Sequence, residues 1–158
     1  VDLRGAFEEP YPYWNASTRA PAERLRGDIE ILPRLAEDGL CDAGKDVSMA
    51  GAVGSALMLL ECSGVGAQID LDTVPRPEGV PLLRWLLSFP SFGYVLSVRP
   101  QQRLRVLERF AARGIAAARI GRVTASPEVW LTQRGERALL WNVKDQPFIR
   151  APRETIDV

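Results

Sequence analysis

Histidine is absent from all 158 residues. That excludes Ser-His-Asp and Cys-His catalytic arrangements, an imidazole proton shuttle near neutral pH, and every His-containing zinc site. Cysteine is scarce: Cys41 and Cys62 form no CxxC, and they are expected to be buried, reduced thiols rather than a disulfide framework. No apolar run is long enough to span a membrane, and the first residues carry no signal-peptide pattern, so a cytoplasmic location is expected. Asn15-Ala16-Ser17 matches a glycosylation sequon, read here as chance in a chain without secretory features. Lysine is almost missing too, with only Lys45 and Lys144 among 20 basic residues. Codon bias explains that skew more simply than phosphate recognition does. The 20 basic and 20 acidic residues cancel, which gives no general reason to bind nucleic acid or an acidic membrane.

What is present suffices for one globular domain. The chain is 46% hydrophobic and 25% charged, with 13 Gly and 12 Pro, a composition that argues against disorder or fibre and suggests many short elements. Residues 1–20 are rich in aromatics and Pro and lack periodicity. They read as a linker that packs on a surface, because four rings are costly to leave in water. Pro21 suits the first turn of a helix whose Leu25, Ile29 and Leu32 recur at helical spacing, with Arg24, Arg26 and Glu30 outside. Pro33 should kink or restart that helix and Gly39 should close it.

A strand-helix-strand pattern then occurs twice. The first copy is a strand near 43–47, a turn at Ser48-Met49-Ala50, a helix from Gly51 to Cys62, and a strand from Val65 to Leu71. The second is a strand from Tyr94 to Val98, a helix started by Pro100 with a stripe of Leu104, Leu107 and Phe110, and a strand near 117–123. Its Arg103, Arg105, Arg109 and Arg113 read as outside. A short apolar helix, Leu82–Leu87, lies between the copies. Val129–Gln133 and Arg137–Asn142 form a terminal hairpin, and the last ten residues look frayed. The expected fold is α+β, an α/β sandwich: a mixed or mostly antiparallel sheet from two split β-α-β units, ferredoxin-like in part, with helices packed on the sheet. Helix 51–62 is apolar on nearly every side, so it is buried on more than one face. Its cover is either this domain's core or a surface contributed by another domain.

The most informative stretch for chemistry is Lys45-Asp-Val-Ser-Met-Ala-Gly51. It runs from strand through turn to helix start, where free amides and the helix dipole favour an anion. Ser48 can donate to a phosphate oxygen, Asp46 can hold a metal-bound water or a ligand hydroxyl, and Lys45 can neutralise charge. The bland alternative is that Ser48 is an N-cap and Asp46 a turn former. No Walker loop is present. Ser63-Gly-Val-Gly66 leads from helix into strand, the reverse of a dinucleotide fingerprint, so its glycines are read as closing a helix and permitting tight packing. Asp70 and Asp72 are either paired carboxylates or solvated acids at a strand end, the latter favoured. The loop 88–93, with Ser91 and Gly93, either edges a pocket or is an ordinary connection.

These segments, in this order, resemble the C-terminal domain of the aminoimidazole ribonucleotide (AIR) synthetase-related superfamily. Its members include AIR synthetase, formylglycinamidine ribonucleotide synthetase, thiamine monophosphate kinase, selenophosphate synthetase and the hydrogenase-maturation carbamoyl dehydratase. The likeness spans about residues 40–123. It rests on the turn 45–51, similar to the family's D-[IV]-S-D-G-G; on Ser63-Gly-Val-Gly-Ala-Gln-Ile-Asp-Leu71 with Pro75; on Phe92-Gly-Tyr-Val-Leu-Ser-Val98-Arg-Pro100; and on Ala118-Arg-Ile-Gly-Arg-Val123. The nearest likeness is to uncharacterised AIR synthetase-like proteins.

The resemblance implies a two-domain, usually dimeric enzyme for ATP-dependent phosphoryl transfer. ATP and magnesium would be held by an N-terminal domain missing from this chain, and this domain would cover the site and hold a small-molecule substrate. Residues 1–20 would then be the linker from that domain, 21–150 the family's C-terminal domain, and 151–158 a tail; the chain, which opens on Val1 without Met, would be inactive alone. Lys45, Asp46, Ser48 and Gly51 are the expected substrate- or phosphate-binding turn, and Ser91 with Gly93 the facing loop; no metal ligand is assigned. Two departures bear on activity. Met49 and Ala50 replace an Asp and a Gly of the family's turn, and Ser91-Phe92-Gly93 lacks an acid that many members carry. The other reading is a non-catalytic ligand-binding or dimerisation module on a ferredoxin-like sheet.

Overall fold

The computed structural model describes residues 1–149; the expected tail at 151–158 lies outside them. In chain order the elements are β1 (Ala6–Phe7), β2 (Tyr13–Asn15), α1 (Ala22–Ile29), α2 (Ile31–Glu37), β3 (Ala43–Asp46), α3 (Gly51–Ser63), β4 (Gly66–Asp70), α4 (Leu82–Leu86), β5 (Phe89–Pro90), β6 (Tyr94–Ser97), α5 (Arg103–Ala111), β7 (Gly121–Thr124), β8 (Glu128–Gln133) and β9 (Glu136–Asn142). The fold is the expected mixture of helices and mostly antiparallel strands. The strands divide among three sheets, ordered β1-β2-β5, β3-β6 and β7-β4-β8-β9. The two copies of the tandem pattern pair with each other, first strand to first and last to last: β3 lies antiparallel to β6, and β4 antiparallel to β7. The described residues fall into two compact units, one of residues 1–56 and 73–119, the other of 57–72 and 120–149.

In the first unit, α2 and α5 lie on the β3-β6 ribbon. Ile31, Leu35, Leu40, Phe92, Val106, Phe110 and Ile115 form the core, joined by Tyr94, Leu96 and Val98 from the strand side. The stripe expected from Leu25, Ile29 and Leu32 is corrected here. The helix breaks at Glu30, which shifts the phase so that Ile31 and Leu35 point inward and Ile29 is exposed. Pro33 sits in the first turn of α2, where it forfeits no helix hydrogen bond. Gly39, at φ +63°, ends that helix in the left-handed conformation glycine adopts without strain. In α5 the buried residues are Val106 and Phe110, while Leu104 is exposed.

Residues 1–20 carry two strands of the small sheet: Trp14 is buried, with Phe7 and Trp85 each edge-on to it. Its indole donates to Asp2 O at 3.1 Å, and Trp85 donates to Pro75 O at 2.9 Å. Below this sits a charged cluster. Asp2 and Asp28 are 2% and 1% exposed. Arg4 bonds both carboxylates (2.8 Å to Asp2, 3.0 Å to Asp28), and Arg113 reaches Asp28 at 2.9 Å. Arg24 and Arg113, expected outside, are therefore structural, because buried carboxylates require paired cations. Burial alone would raise the Asp2 carboxyl, but the hydrogen bonds and charge of Arg4 outweigh it and hold the group below its ordinary value.

In the second unit β4 lies between β7 and β8, antiparallel to one and parallel to the other, and β8 turns into β9. The turn residues Arg134 and Gly135 both have positive φ, 49° and 82°, the conformation that two-residue hairpins favour. Val129 is fully buried at the centre of this sheet. Among the described residues no helix is long and apolar enough to cross a membrane. The cysteines are free, but Cys41 is half-buried and Cys62 exposed, against the expectation of buried thiols.

Candidate functional site

The turn between β3 and α3 is open to solvent. Lys45 and Asp46 close the strand as an ion pair of 3.1 Å, with the Asp46 side chain 66% exposed. Met49 is 80% exposed, and Ala50 is exposed beside it. The turn is fixed from both flanks. On the strand side Asp46 lies opposite Tyr94, and the Val47 amide donates to Gly93 O at 2.8 Å. On the helix side the Ser48 amide donates to the fully buried Ser55 hydroxyl at 3.0 Å. The Gly51 amide closes the turn onto Ser48 O at 2.8 Å.

Gly51 explains why this junction needs glycine. Its φ is +69°, and a Cβ there would stand 2.1 Å from Leu86 O. Ser48 is thus not simply a side-chain cap: its own amide is held by Ser55, and the two hydroxyls are 3.5 Å apart.

Of the residues expected from sequence, the structure brings together Lys45, Asp46, Ser48 and Gly51 with Gly93. Ser91 is engaged elsewhere. Its hydroxyl accepts the Ala16 amide and the Ser17 hydroxyl, both at 2.9 Å. Two residues that sequence reasoning passed over belong to the site. Tyr94 faces Asp46 across the ribbon; burial pushes its phenol up and the Asp46 carboxylate adds to this, so it stays a neutral hydrogen-bond donor. Ser55 holds the turn, and its signal was a hydroxyl within the apolar run 52–60 of the helix.

The remaining motifs take structural roles. Asp72 accepts the Arg134 amide at 2.6 Å and Asp70 accepts the Asp72 amide at 3.1 Å, so these acids tie the hairpin turn. Gly64, at φ +66°, closes α3, and a Cβ on Gly66 would lie 2.1 Å from Glu128 O, so this glycine permits the close β4–β8 pairing. For magnesium the donor set of the turn is poor: Asp46 is its one carboxylate and is paired with Lys45. Magnesium is usually held by one or two carboxylates together with substrate phosphates, and Lys45 competes for the one carboxylate the turn has. What the turn can do is present a cation, a carboxylate and a serine hydroxyl on a rigid backbone to a polar ligand.

The family model "AIR synthase related protein, C-terminal domain" matches residues 5–132. An uncharacterized protein of Synechocystis sp. is 47% identical over 138 residues, 87% of this chain and 43% of that protein. The phosphoribosylformylglycinamidine synthase subunit PurL of Parasynechococcus marenigrum is 31% identical over 138 residues, 78% of this chain and 18% of the subunit. The chain thus spans less than half the length of the curated relatives it matches. Among solved structures, Thermotoga maritima PurL complexed with FGAR matches with a TM-score of 0.71 at 22% identity, covering 82% of this chain and 21% of that one. A HypE–HypF complex matches with a TM-score of 0.61 at 22% identity, covering 75% and 41%. At such identities the likeness is one of fold.

Proposed function

The chain belongs to the AIR synthase related proteins, as their C-terminal domain, and on that premise we propose that it is the substrate-side domain of an ATP-dependent phosphoryl-transfer enzyme. The observation that carries this reading is the open, doubly anchored turn 45–51, which offers Lys45, Asp46 and Ser48 to solvent beside Gly93 and Tyr94. PurL of Thermotoga maritima has been solved with ATP and with FGAR, and the shared fold supports a part in ATP-dependent chemistry here. ATP and magnesium would be held by a further domain. Lys45 would neutralise charge on the second substrate, Asp46 and the Ser48 hydroxyl would orient it, and the rigid backbone would hold it in line. Catalysis of this kind is mainly positioning and charge stabilisation, which requires no histidine.

The test is a metabolite thermal-shift screen on the full-length protein with ATP and magnesium. A metabolite that raises Tm in the parent should lose that effect in Lys45→Ala and Asp46→Asn, while the ATP-dependent shift persists. Metabolite shifts that survive both substitutions would overturn the assignment of the turn. The second reading, a non-catalytic ligand-binding or dimerisation module, is favoured by Met49 and Ala50 standing where the family's turn carries Asp and Gly. It requires metabolite binding without any ATP turnover by the full-length protein.

A further inference from the structure

Two serines meet behind the turn 45–51, both in the first unit. Ser55 is fully buried in α3, and its hydroxyl oxygen accepts the Ser48 amide at 3.0 Å. A serine in a helix can give its own proton to a carbonyl three or four residues back. Ser63, at the other end of α3, does so to Leu59 O at 2.9 Å, and the buried Ser88 does so to Trp85 O at 2.8 Å. Ser55 makes no such bond. Among the described residues its hydroxyl meets only the Ser48 amide and, at 3.5 Å, the Ser48 hydroxyl. The amide is itself a donor, so the Ser48 oxygen is the one acceptor among the described residues within reach of the Ser55 proton. A buried hydroxyl proton without an acceptor is costly, whereas Ser48 is half-buried and its proton can find water. The pair is therefore polarised one way: Ser55 donates, Ser48 accepts, and the Ser48 proton turns away from the helix. Ser48 Oγ has no further partner among the described residues.

We propose that Ser55 is a positioning residue for this site: it fixes the polarity of the Ser48 hydroxyl, so that Ser48 meets its ligand as a hydrogen-bond donor. The inference rests on the reading of the turn 45–51 as the substrate turn, and it adds which kind of atom the ligand places there. That atom is an acceptor, best an anionic oxygen, since a charged acceptor strengthens the bond. A group able only to donate is refused. Lys45, whose ammonium only donates, stands in the same turn and selects the same kind of atom. Ser48 is also fixed at both ends of its backbone, its amide by Ser55 and its carbonyl by the Gly51 amide at 2.8 Å. Only its hydroxyl rotor is left to respond, and Ser55 sets that rotor.

The experiment is NMR on the full-length protein, isotope-labelled at serine. Deuterium isotope shifts at Cβ first read hydroxyl exchange: the Ser55 proton should exchange slowly and the Ser48 proton fast. Sulfate, acetate and methylammonium are then titrated as probes. Sulfate or acetate should shift the Ser48 resonances, the tighter of the two giving the geometry of the acceptor, and methylammonium should not. Ser48→Ala should weaken the bound anion roughly tenfold, and Ser55→Ala roughly threefold or more. In the Ser48→Ala background, Ser55→Ala should have no further effect. A merely structural role would weaken binding in both backgrounds, because the amide of residue 48 loses its acceptor in both. Should Ser55→Ala fail to fold, Ser55→Cys, close in size but a weak donor, should weaken the anion in the same direction. The proposal is overturned by a slow Ser48 hydroxyl beside a fast Ser55 one, by methylammonium binding the turn in preference to either anion, or by equal losses from Ser55→Ala with and without the Ser48 hydroxyl. Anion binding that Lys45→Ala abolishes and Ser55→Ala leaves intact rejects the role of Ser55 and keeps the turn; no shift within 45–51 from any probe rejects both.

Discussion

Two crossovers of the same order, strand, helix, strand, occur in this chain, and their helices are held in opposite ways. α3 starts on a glycine at positive φ pressed against a carbonyl, and it buries residues around its circumference, among them Ser55, Ala56, Leu57, Leu60 and Glu61. α5 begins through Pro100 and a 3-10 turn and buries one narrow stripe, with arginines along the rest. The difference teaches where a ligand site can form. The turn before α3 is rigid because the helix behind it is fixed at its first residue, while α5 serves as cover for the core of the first unit.

The comparison can be broken most forcefully at Phe110. Phe110→Ala should cost about 3–5 kcal/mol by emptying the core under α5, whereas Leu104→Ala, on the same helix but exposed, should stay within about 0.5 kcal/mol; urea unfolding of both variants checks this. Next comes the first residue of each helical segment. Gly51→Ala should cost at least about 2 kcal/mol, since an alanine must adopt a left-handed φ and meet Leu86 O. Pro100→Ala should cost less than about 1 kcal/mol. Equal losses at Gly51 and Pro100 would contradict the account of why the first turn is rigid.

Ser55→Ala leaves the Ser48 amide without its acceptor and should cost about 1–2 kcal/mol. Faster amide exchange should follow at Ser48 while residues 103–111 keep their protection. The smallest effect is acid's. Because the Asp2 carboxyl is held below its ordinary value, its contribution is complete above an unfolded pKa of about 3.9 and is lost as pH falls through the lower folded value. Amide exchange near Arg113, whose carbonyl accepts from Arg4 at 3.1 Å, should therefore rise below about pH 4 before exchange at 51–56 does. Loosening that began instead between about pH 5 and 7 would contradict the sign.

The tandem pattern, the short apolar helix and the hairpin were legible because each rests on local signals: alternation, a helical stripe, or a Gly in a turn. The helix phases were less so. The break at Glu30 rotates Ile29 outward, and nothing in the spacing of Leu25, Ile29 and Leu32 announces it. The charged cluster was hidden for another reason. Asp2, Asp28 and Arg113 are far apart in the chain, and charges on helices read by default as solvent-facing. The turn 45–51 was found from its strand-turn-helix pattern. Ser91 was placed on the facing loop by resemblance, but its hydroxyl is bound to residues 16 and 17, a pairing between distant parts of the chain that no local pattern encodes. Residues 1–20 show the same limit: β1 and β2 are two and three residues long, pair with each other, and join a sheet only through the pairing of β2 with the distant β5.

The most direct test of the central claim is a calorimetric titration of magnesium-ATP into this chain by itself and into the full-length protein. The account predicts no measurable heat from the chain and one nucleotide bound per full-length protomer. Tight, stoichiometric ATP binding by the chain alone would contradict it.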